Sequence, residues 1–277
     1  MSSIDRRQLF CGLVASAFIA NTAQAETRPA VFDLPVAGRT LKVTHWEVAQ
    51  PKAVILFSHG AGSWPERYEK LIGALTAQGY AVLAPLHGES MKVPEAERRS
   101  LQAVFGERIA DMATLAGYAQ QHYPGLPLIA GGHSYGTLFA LMLGGALTYV
   151  ADIRNPAVKA VFGFSSPGAI PNLINPIAYT SVKVPSLIIT GEKDVVPGFV
   201  TDWHDHLLPF KGTPVTGSYA LVIKAGLHDL VGGANSETYD VAQAVVQDFL
   251  ARTVSGETSQ PLTLSAKWAE KAELLTK

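Results

Sequence analysis

The segment Gly131-Gly132-His133-Ser134-Tyr135-Gly136 gives the strongest indication of the fold. It follows the apolar run 128–130 and precedes a helical pattern. A glycine on each side of a serine lets the chain turn sharply between strand and helix, and lets the helix approach the strand closely. Such a turn lifts the serine hydroxyl out of the sheet, and the helix N-terminus beneath it favours negative charge. The pattern therefore predicts that Ser134 is an exposed nucleophile at a strand–turn–helix junction.

A serine nucleophile needs a base, and the base needs a carboxylate that orients it. Asp194 stands in the loop after the apolar run 187–189, and His228 stands in the loop after the next apolar run, 220–223. Both loops follow the carboxyl end of a predicted strand, where doubly wound sheets gather their ligands. We therefore predict a triad of Ser134, Asp194 and His228. Glu192, two residues before Asp194, is the alternative acid.

A second glycine-containing turn, Ser58-His59-Gly60-Ala61-Gly62, follows the apolar run 53–57. Its glycines allow the backbone to bend so that an N–H points at the acyl oxygen of a substrate. We expect the N–H groups of Ala61 and Tyr135 to stabilise the negative oxygen that develops during acyl transfer.

Other side chains in loops near the predicted site are candidates for contact with a substrate. His87 follows a strand end, where it can face the site. The remaining candidates are aromatic: Trp64, Phe199 and Trp203. His204 and His206 stand two positions apart, so they diverge on a helix, and no metal site is predicted from them.

Apolar runs alternate with amphipathic helical patterns along the chain. The apolar runs are 53–57, 81–84, 128–130, 160–164, 187–189 and 220–223, and the helical patterns are 68–78, 108–121, 135–147 and 237–250. This alternation predicts one mostly parallel, doubly wound α/β sheet flanked by helices. The stretch 34–48, with a turn at 37–39, predicts an antiparallel edge hairpin.

The ends of the chain lead to separate predictions. Residues 1–25 combine the arginine pair Arg6-Arg7, a short apolar run and Ala23-Gln24-Ala25, which together are typical of a twin-arginine-like export signal. A single domain is predicted over residues 26–277. It closes with a C-terminal helical tail, because Leu264, Trp268 and Leu275 fall at helical offsets. The short segment 170–183 predicts little or no lid.

With these motifs, the chain resembles the α/β-hydrolase superfamily over most of residues 36–250. The runs 58–62, 79–85 and 132–136 are similar to its dienelactone-hydrolase-like and small serine esterase branches. The resemblance implies the α/β-hydrolase fold and a Ser/Asp/His hydrolase of esters or similar acyl compounds that needs no cofactor. Those branches often carry an acidic residue where this chain reads Pro85-Leu86-His87-Gly88, and true dienelactone hydrolases use a cysteine nucleophile. Dienelactone is therefore not the expected substrate.

Composition excludes several other classes of protein. The 277 residues include 22 Lys and Arg against 23 Asp and Glu, so the net charge is -1 and no basic surplus is present for binding nucleic acid. The one cysteine, Cys11, lies in the predicted signal, which excludes an intrachain disulfide. The apolar run of that signal is too short to span a membrane, so no span is expected once the signal is removed.

The sequence thus predicts an exported, periplasmic or extracellular serine carboxylesterase acting on a small ester, without cofactor or metal. Three alternatives stay open. One is a lipase- or polyesterase-like hydrolase of large apolar substrates, and another is a perhydrolase, which would share the same triad. The third is a hydrolase-fold binding protein that has lost its activity.

Overall fold

A computed structural model of the protein describes residues 29–233, 235–257 and 260–277. The predicted signal at 1–25, with Cys11, lies outside these residues. Within them, nine strands form a single sheet in the order β1-β2-β4-β3-β5-β6-β7-β8-β9. The strands are β1 (Ala30–Val36), β2 (Arg39–Trp46), β3 (Ala53–Ser58), β4 (Tyr80–Pro85), β5 (Leu128–His133), β6 (Val158–Phe164), β7 (Ser186–Lys193), β8 (Tyr219–Leu227) and β9 (Ala272–Thr276).

The five α-helices of the described residues connect these strands. They are α1 (Glu69–Thr76), α2 (Leu101–His122), α3 (Tyr135–Leu143), α4 (Leu208–Gly212) and α5 (Ser236–Ser255). Short 3₁₀ turns add Pro65–Tyr68, Glu95–Glu97, Trp203–Leu207, Leu230–Gly232 and Ala266–Trp268. None of the helices in this part of the chain combines the length and the hydropathy that crossing a bilayer requires.

Strands β3 to β8 pair in parallel, and both edges of the sheet are antiparallel. The predicted N-terminal hairpin is confirmed: β1 pairs with β2 around a two-residue turn in which Ala37 and Gly38 both have positive φ. That conformation matches the natural twist of the two strands. Each of the six apolar runs lies inside an observed strand, because a parallel strand covered on both faces must be apolar throughout.

Two apolar cores cover the two faces of the sheet. Along β3, Ile55 and Phe57 belong to the core that also contains α1 and α5, while Val54 and Leu56 belong to the core that contains α2 and α3. Alternate side chains of a strand point to opposite faces, which explains this division. The central strands are therefore packed on both faces, and the loops at their carboxyl ends begin at this buried sheet.

The predicted C-terminal helical tail is wrong. Ala272–Thr276 forms β9, which pairs antiparallel with β8, so that Ala272 lies opposite Ile223. Leu274 packs on one apolar core and Leu275 on a cluster on the other side, as neighbouring strand residues must. Without β9, the backbone N–H and C=O groups on one side of β8 would be unpaired at the edge of the sheet. Pairing with them favours a strand at 272–276 in spite of the helical spacing of the tail.

The segment 165–185, between β6 and β7, consists of turns and irregular chain, with no helix among these described residues. No inserted subdomain therefore covers the carboxyl ends of the strands from this position.

Candidate active site

Ser134 sits on the tight turn between β5 and α3, with φ 50° and ψ −123°. This is a sparsely populated region for a residue with a side chain, and occupying it costs about 1–3 kcal/mol. A Cβ on Gly132 would lie 2.6 Å from the carbonyl carbon of Gly136, and a Cβ on Gly136 would lie 2.0 Å from the carbonyl oxygen of Ser58. Glycine is therefore required on both sides of Ser134, where the first turn of α3 meets the end of β3.

The three residues of the predicted triad lie just after the carboxyl ends of β5, β7 and β8, which meet at the same edge of the sheet. Nε2 of His228 lies 3.0 Å from the hydroxyl of Ser134, and Nδ1 of His228 lies 2.7 Å from Oδ1 of Asp194. The side chain of Asp194 is fully buried, while that of His228 is 26% exposed. A proton can therefore move from Ser134 to His228 while the buried carboxylate holds the ring in one orientation.

Asp194 is held as a carboxylate by donors on both of its oxygens. Thr190 Oγ1 donates to Oδ2 over 2.8 Å, and His206 Nε2 lies 3.0 Å from Oδ1, beside His228. Burial by itself raises the pKa of Asp194, but the hydrogen bonds from His206 and His228 outweigh it, and the pKa lies below its ordinary value. The alternative acid, Glu192, is exposed, so the structure pairs His228 with Asp194 instead.

The two expected oxyanion donors, Ala61 and Tyr135, both border the same cavity as Ser134. In the described part of the chain, neither backbone N–H has a hydrogen-bond acceptor. Tyr135 is the first residue of α3, so its N–H is one of the groups that a helix leaves unsatisfied at its N-terminus. Both N–H groups are thus available to a ligand oxygen.

A chain of hydrogen bonds joins the oxyanion loop, residues 58–62, to the loop after β8 that carries His228. The N–H of Gly60 donates to the hydroxyl of Tyr68, which lies 2.9 Å from Nδ1 of His133. Nε2 of His133 lies 2.9 Å from the carbonyl oxygen of His228. Burial lowers the pKa of His133 to about 3, so the ring is neutral. The neutral ring accepts from Tyr68 at Nδ1 and donates to His228 at Nε2, which fixes its tautomer.

Arg108, on α2, lies beneath the oxyanion loop and was not anticipated from the sequence. Its guanidinium is fully buried, pairs with Glu89, and donates to the carbonyl oxygens of His59 and Gly60 over 2.8 and 3.4 Å. Its other face lies 5.0 Å from the centre of the Tyr135 ring. One cation therefore contacts both segments that carry the candidate oxyanion donors. Only the tertiary structure reveals this contact, because Arg108 lies 48 residues after Gly60 in the sequence.

His87 does not reach the cavity, in contrast to the expectation that it contacts substrate. It is fully buried, with Nε2 2.9 Å from Ser58 Oγ and Nδ1 2.8 Å from Oδ2 of Asp111. Burial and the charges of Arg108 and Arg39 hold the pKa of His87 well below its ordinary value. His87 does follow the end of β4, as predicted, but its side chain points into the protein and not toward the cavity.

Of the three aromatic candidates, Trp64 and Phe199 line the cavity. Trp203 does not: it stacks on His204 at a ring-centre distance of 3.8 Å and packs against the small apolar cluster of Leu207, Ala220 and Val222. The expectation for Trp203 is therefore wrong, because the 3₁₀ turn that carries it directs the indole toward that cluster.

The cavity beside Ser134 has a volume of about 880 Å³ and a mostly apolar lining. Several large apolar side chains at its mouth are exposed, and Phe199, at 73%, and Met91, at 61%, are the most exposed of them. The apolar lining residues include Trp64, Met91, Leu101, Ile170, Val196 and Phe199. The cavity can therefore take an apolar group next to the hydroxyl of Ser134.

Asp194, His206 and His228 place atoms of metal-binding type within 4.8 Å of one another. Nδ1 of His228 forms a hydrogen bond of 2.7 Å with Oδ1 of Asp194, and Nε2 of His206, 3.0 Å from the same oxygen, forms one of 2.9 Å with the backbone carbonyl oxygen of Asp194. Both nitrogens face oxygens that only accept hydrogen bonds, so both carry protons. A protonated nitrogen cannot coordinate a metal, and we assign no metal role to these residues.

Comparison with known proteins agrees with this architecture. The model of the family described as serine aminopeptidase, S33, matches residues 49–167. Human monoglyceride lipase is 32% identical over 149 residues, which cover 53% of this chain and 45% of the lipase. The chain spans less than half the length of the curated relatives it matches.

Solved structures show the same fold over most of the chain. The esterase domain of a Rhodothermus marinus protein is 17% identical with a TM-score of 0.58, over 82% of this chain and 99% of that domain. XC6422 from Xanthomonas campestris, described as an α/β serine hydrolase without a lid, is 16% identical with a TM-score of 0.56, over 82% and 95%. The protein has the α/β-hydrolase fold, and the resemblance read from the sequence is confirmed.

Proposed function

We propose that the protein is a serine hydrolase that cleaves carboxylic esters through an acyl-enzyme on Ser134. The observation that carries this proposal is the continuous relay from Ser134 through His228 to Asp194 at the wall of the cavity. His228 takes the proton of Ser134 as its oxygen attacks the acyl carbon. His228 then gives that proton to the leaving alkoxide.

The remaining steps use the same residues. The N–H groups of Ala61 and Tyr135 stabilise the oxyanion of each tetrahedral intermediate, a contribution of about a hundred- to a thousand-fold in rate per donor. Water then attacks the acyl-enzyme with His228 as base, and Ser134 recovers its proton as the acid leaves. Asp194 keeps the ring of His228 in the productive tautomer throughout.

Labelling with a fluorophosphonate probe, followed by peptide mass spectrometry, tests the proposal directly. The wild-type protein should carry the label on Ser134, and Ser134→Ala should carry none and release no p-nitrophenol from p-nitrophenyl butyrate. An unlabelled wild-type protein would instead support the inactive binding protein. A label on another serine, or turnover by Ser134→Ala, would refute the assignment.

A second candidate function is a lipase- or polyesterase-like activity on large apolar substrates. The exposed apolar side chains at the mouth of the cavity and the similarity to monoglyceride lipase support it. A series of p-nitrophenyl esters from acetyl to palmitoyl separates the two. Maximal kcat/KM with acetyl or butyryl esters supports a small-ester esterase, whereas a maximum at decanoyl or longer supports the lipase-like activity.

We also propose that the protein is exported, on the basis of the arginine pair, the apolar run and the Ala-Gln-Ala exit of residues 1–25. Expression of the full chain in a bacterial host and N-terminal sequencing of the periplasmic fraction tests this. A mature chain that begins at Glu26 is the expected result, and a chain that keeps residues 1–25 in the cytoplasm would contradict it.

A further inference from the structure

A second histidine contacts the acid of the relay, at the same carboxylate oxygen as His228. His206 lies in the 3₁₀ turn Trp203–Leu207 and is fully buried. Its Nε2 lies 3.0 Å from Oδ1 of Asp194 and 2.9 Å from the backbone carbonyl oxygen of the same residue. Its Nδ1 forms a short hydrogen bond with the carbonyl oxygen of Ser166, in the loop after β6.

Both nitrogens of His206 therefore face oxygens that can only accept hydrogen bonds. A neutral imidazole has one N–H and one lone pair, so one of its nitrogens would direct a lone pair at a carbonyl or carboxylate oxygen. The doubly protonated ring satisfies all of these contacts. The geometry thus requires that His206 carries two protons and a positive charge.

The charged and titratable groups around His206 are few. From the loop after β7 it faces the carboxylate of Asp194, and from the loop after β8 it faces His228, whose ring centre lies 5.9 Å away. The loop after β6 contributes the carbonyl of Ser166. In its own turn, Asp205 is partly exposed and His204 points to solvent, where it pairs with Asp202. Asp194 is therefore the principal counter-charge of His206.

His206 and His228 share a single oxygen of Asp194. Oδ1 lies 3.0 Å from Nε2 of His206 and 2.7 Å from Nδ1 of His228, while Oδ2 accepts from Thr190. These donors fix the carboxylate in the plane that His228 needs. A positive charge at this distance also opposes a second positive charge on His228, which must form whenever His228 takes the proton of Ser134.

We propose that His206 is a positioning residue that stays doubly protonated at neutral pH, holds Asp194 ionised and oriented, and sets the pH below which His228 stops acting as a base. The proposal rests on the proposed function, since it assigns His228 that role. It differs from the usual three-residue relay in that the acid is shared between two imidazoles of different charge.

The direction of the pKa shift of His206 agrees with the geometry. Burial lowers the pKa of an imidazole, but here the hydrogen bond and the charge of Asp194, with the carbonyl oxygens of Ser166 and Asp194, outweigh burial and raise the pKa of His206 above its ordinary value. The direction of this pKa shift and the contacts of the ring both favour the doubly protonated form.

Nuclear magnetic resonance of the wild-type protein tests the protonation state without any turnover. Two-bond proton–nitrogen correlation spectra of the imidazole rings distinguish the imidazolium from both neutral tautomers, and the signals of His206 are assigned through its own Cβ. At pH 7 we expect His206 to be an imidazolium. A neutral tautomer at that pH would overturn the proposal, even if the protein proves to be an active esterase.

The pH profile of kcat/KM for p-nitrophenyl butyrate tests the effect on His228. His206→Gln retains a donor for Asp194 but removes the charge, so His228 should take up its proton at a higher pH. The midpoint of the acidic limb should move up by about one pH unit, with a loss of less than about tenfold on the plateau. His204→Gln is the matched control, since His204 is exposed and two residues away, and its midpoint should not move.

The two measurements separate the ways in which the proposal can fail. A merely structural role for His206 predicts lower activity at every pH with an unchanged midpoint, and this result would overturn the proposal. If His206→Gln does not fold, the spectra of the wild-type protein still decide the matter. If Ser134→Ala keeps its activity, the proposed function fails, while the protonation of His206 stands or falls by its own spectrum.

Discussion

Among the residues that the structure describes, two Ser–His–Asp chains have nearly the same hydrogen-bond lengths. In the relay at the cavity, the Ser134–His228 and His228–Asp194 distances are 3.0 and 2.7 Å. In the inner chain of Ser58, His87 and Asp111, the corresponding distances are 2.9 and 2.8 Å. All three side chains of the inner chain are fully buried, whereas Ser134 and His228 reach the cavity. Contact distances alone therefore do not identify an active site.

The surroundings of the two serines explain the difference. Ser58 ends a strand, and its hydroxyl accepts a hydrogen bond from the buried guanidinium of Arg108 over 3.2 Å. Because Ser58 is fully buried, a substrate cannot approach its hydroxyl. Ser134 sits on a strained turn, beside two backbone N–H groups that have no acceptor in the described residues. Access and unpaired donors distinguish a nucleophile from a structural serine.

The pKa values of the two acids are shifted in opposite directions. Burial raises the pKa of Asp111 to about 6, although Arg39 and Arg108 pull it down. Asp194 is held below its ordinary pKa because the hydrogen bonds from His206 and His228 overcome its burial. The pKa values of the two buried aspartates thus shift in opposite directions, because burial outweighs the donors at Asp111 and the donors outweigh burial at Asp194.

The largest expected contrast is between the two serines. Ser134→Ala should lower kcat by about a million-fold, since the nucleophile and its base act as a unit. Ser58→Ala should lose far less activity, but should lower the free energy of unfolding by about 1–3 kcal/mol because Arg108 and His87 lose a partner. Esterase assays and urea unfolding of both variants measure this. A comparable loss of kcat in the two variants would contradict the assignment of Ser134 as the nucleophile and Ser58 as a structural serine.

The two acids provide the next contrast. Asp194→Asn should lower kcat by about ten-thousand-fold, because the amide favours the wrong tautomer of His228. Asp111→Asn should act mainly on stability. With the pKa of Asp111 raised to about 6 by burial, its contribution to stability is fully present below its unfolded value of 3.8 and is lost as the pH rises through 6. The contribution of Asp194 has the opposite sign: it is present above 3.8 and is lost as the pH falls.

Urea unfolding across this pH range checks the signs. Between about pH 4 and pH 7, the stability advantage of the wild type over Asp111→Asn should shrink by on the order of 3 kcal/mol. The advantage over Asp194→Asn should instead grow as the pH rises from about 3 to 5. Parallel curves for the two variants would show that the acids do not differ in the way proposed.

Arg108 connects the inner chain to the cavity, so its removal should affect both regions. Arg108→Met leaves Glu89 buried without its partner, which should cost about 3–5 kcal/mol of folding free energy. It also frees the carbonyl groups of His59 and Gly60, and we expect kcat to fall by about ten- to a hundred-fold, measured at a temperature where the variant is folded. The double variant with Glu89→Gln should regain stability but not kcat. Full recovery of kcat would show that Arg108 acts only on stability.

The smallest expected effect concerns the link between the oxyanion loop and the loop of the base. Tyr68→Phe removes the hydroxyl that joins Gly60 to His133, and should lower kcat by about five- to ten-fold, consistent with one neutral hydrogen bond. KM should change little. Tyr123→Phe, which removes a hydroxyl bonded to His45 far from the cavity, is the matched control. Equal losses in kcat for the two variants would contradict a positioning role for Tyr68.

Local sequence patterns predicted most of the strands, the tight turns and the residues of the relay. Continuous apolar runs such as 53–57 predict buried parallel strands because both faces of such strands are covered. Glycines indicate tight turns, and the structure has such turns at Ala37-Gly38, where φ is positive, and around Ser134, where a Cβ on either glycine would clash with backbone. Placing Asp194 and His228 after strands was sufficient to bring them together, since carboxyl ends of parallel strands meet at one edge of the sheet.

Other features depended on contacts between distant parts of the chain. His87 follows a strand end like His228, yet it points inward because Asp111 and Ser58 offer it hydrogen bonds there. Leu264, Trp268 and Leu275 have helical spacing, yet residues 272–276 form a strand because the edge of β8 is open to pairing. Side-chain direction in a loop and the pairing of a sheet edge are set by neighbours that are remote in sequence.

By itself, the sequence determined the alternation of strands and helices, the turn that presents Ser134, and the order of nucleophile, acid and base, because each is written in local spacing and in the conformational freedom of glycine. Only the tertiary structure decided which of two Ser–His–Asp chains faces a cavity, that Arg108 lies under the oxyanion loop, and that His206 shares the oxygen of Asp194 with His228. Exposure, burial and the sharing of a hydrogen-bond acceptor are properties of packed neighbours, and no local pattern encodes them.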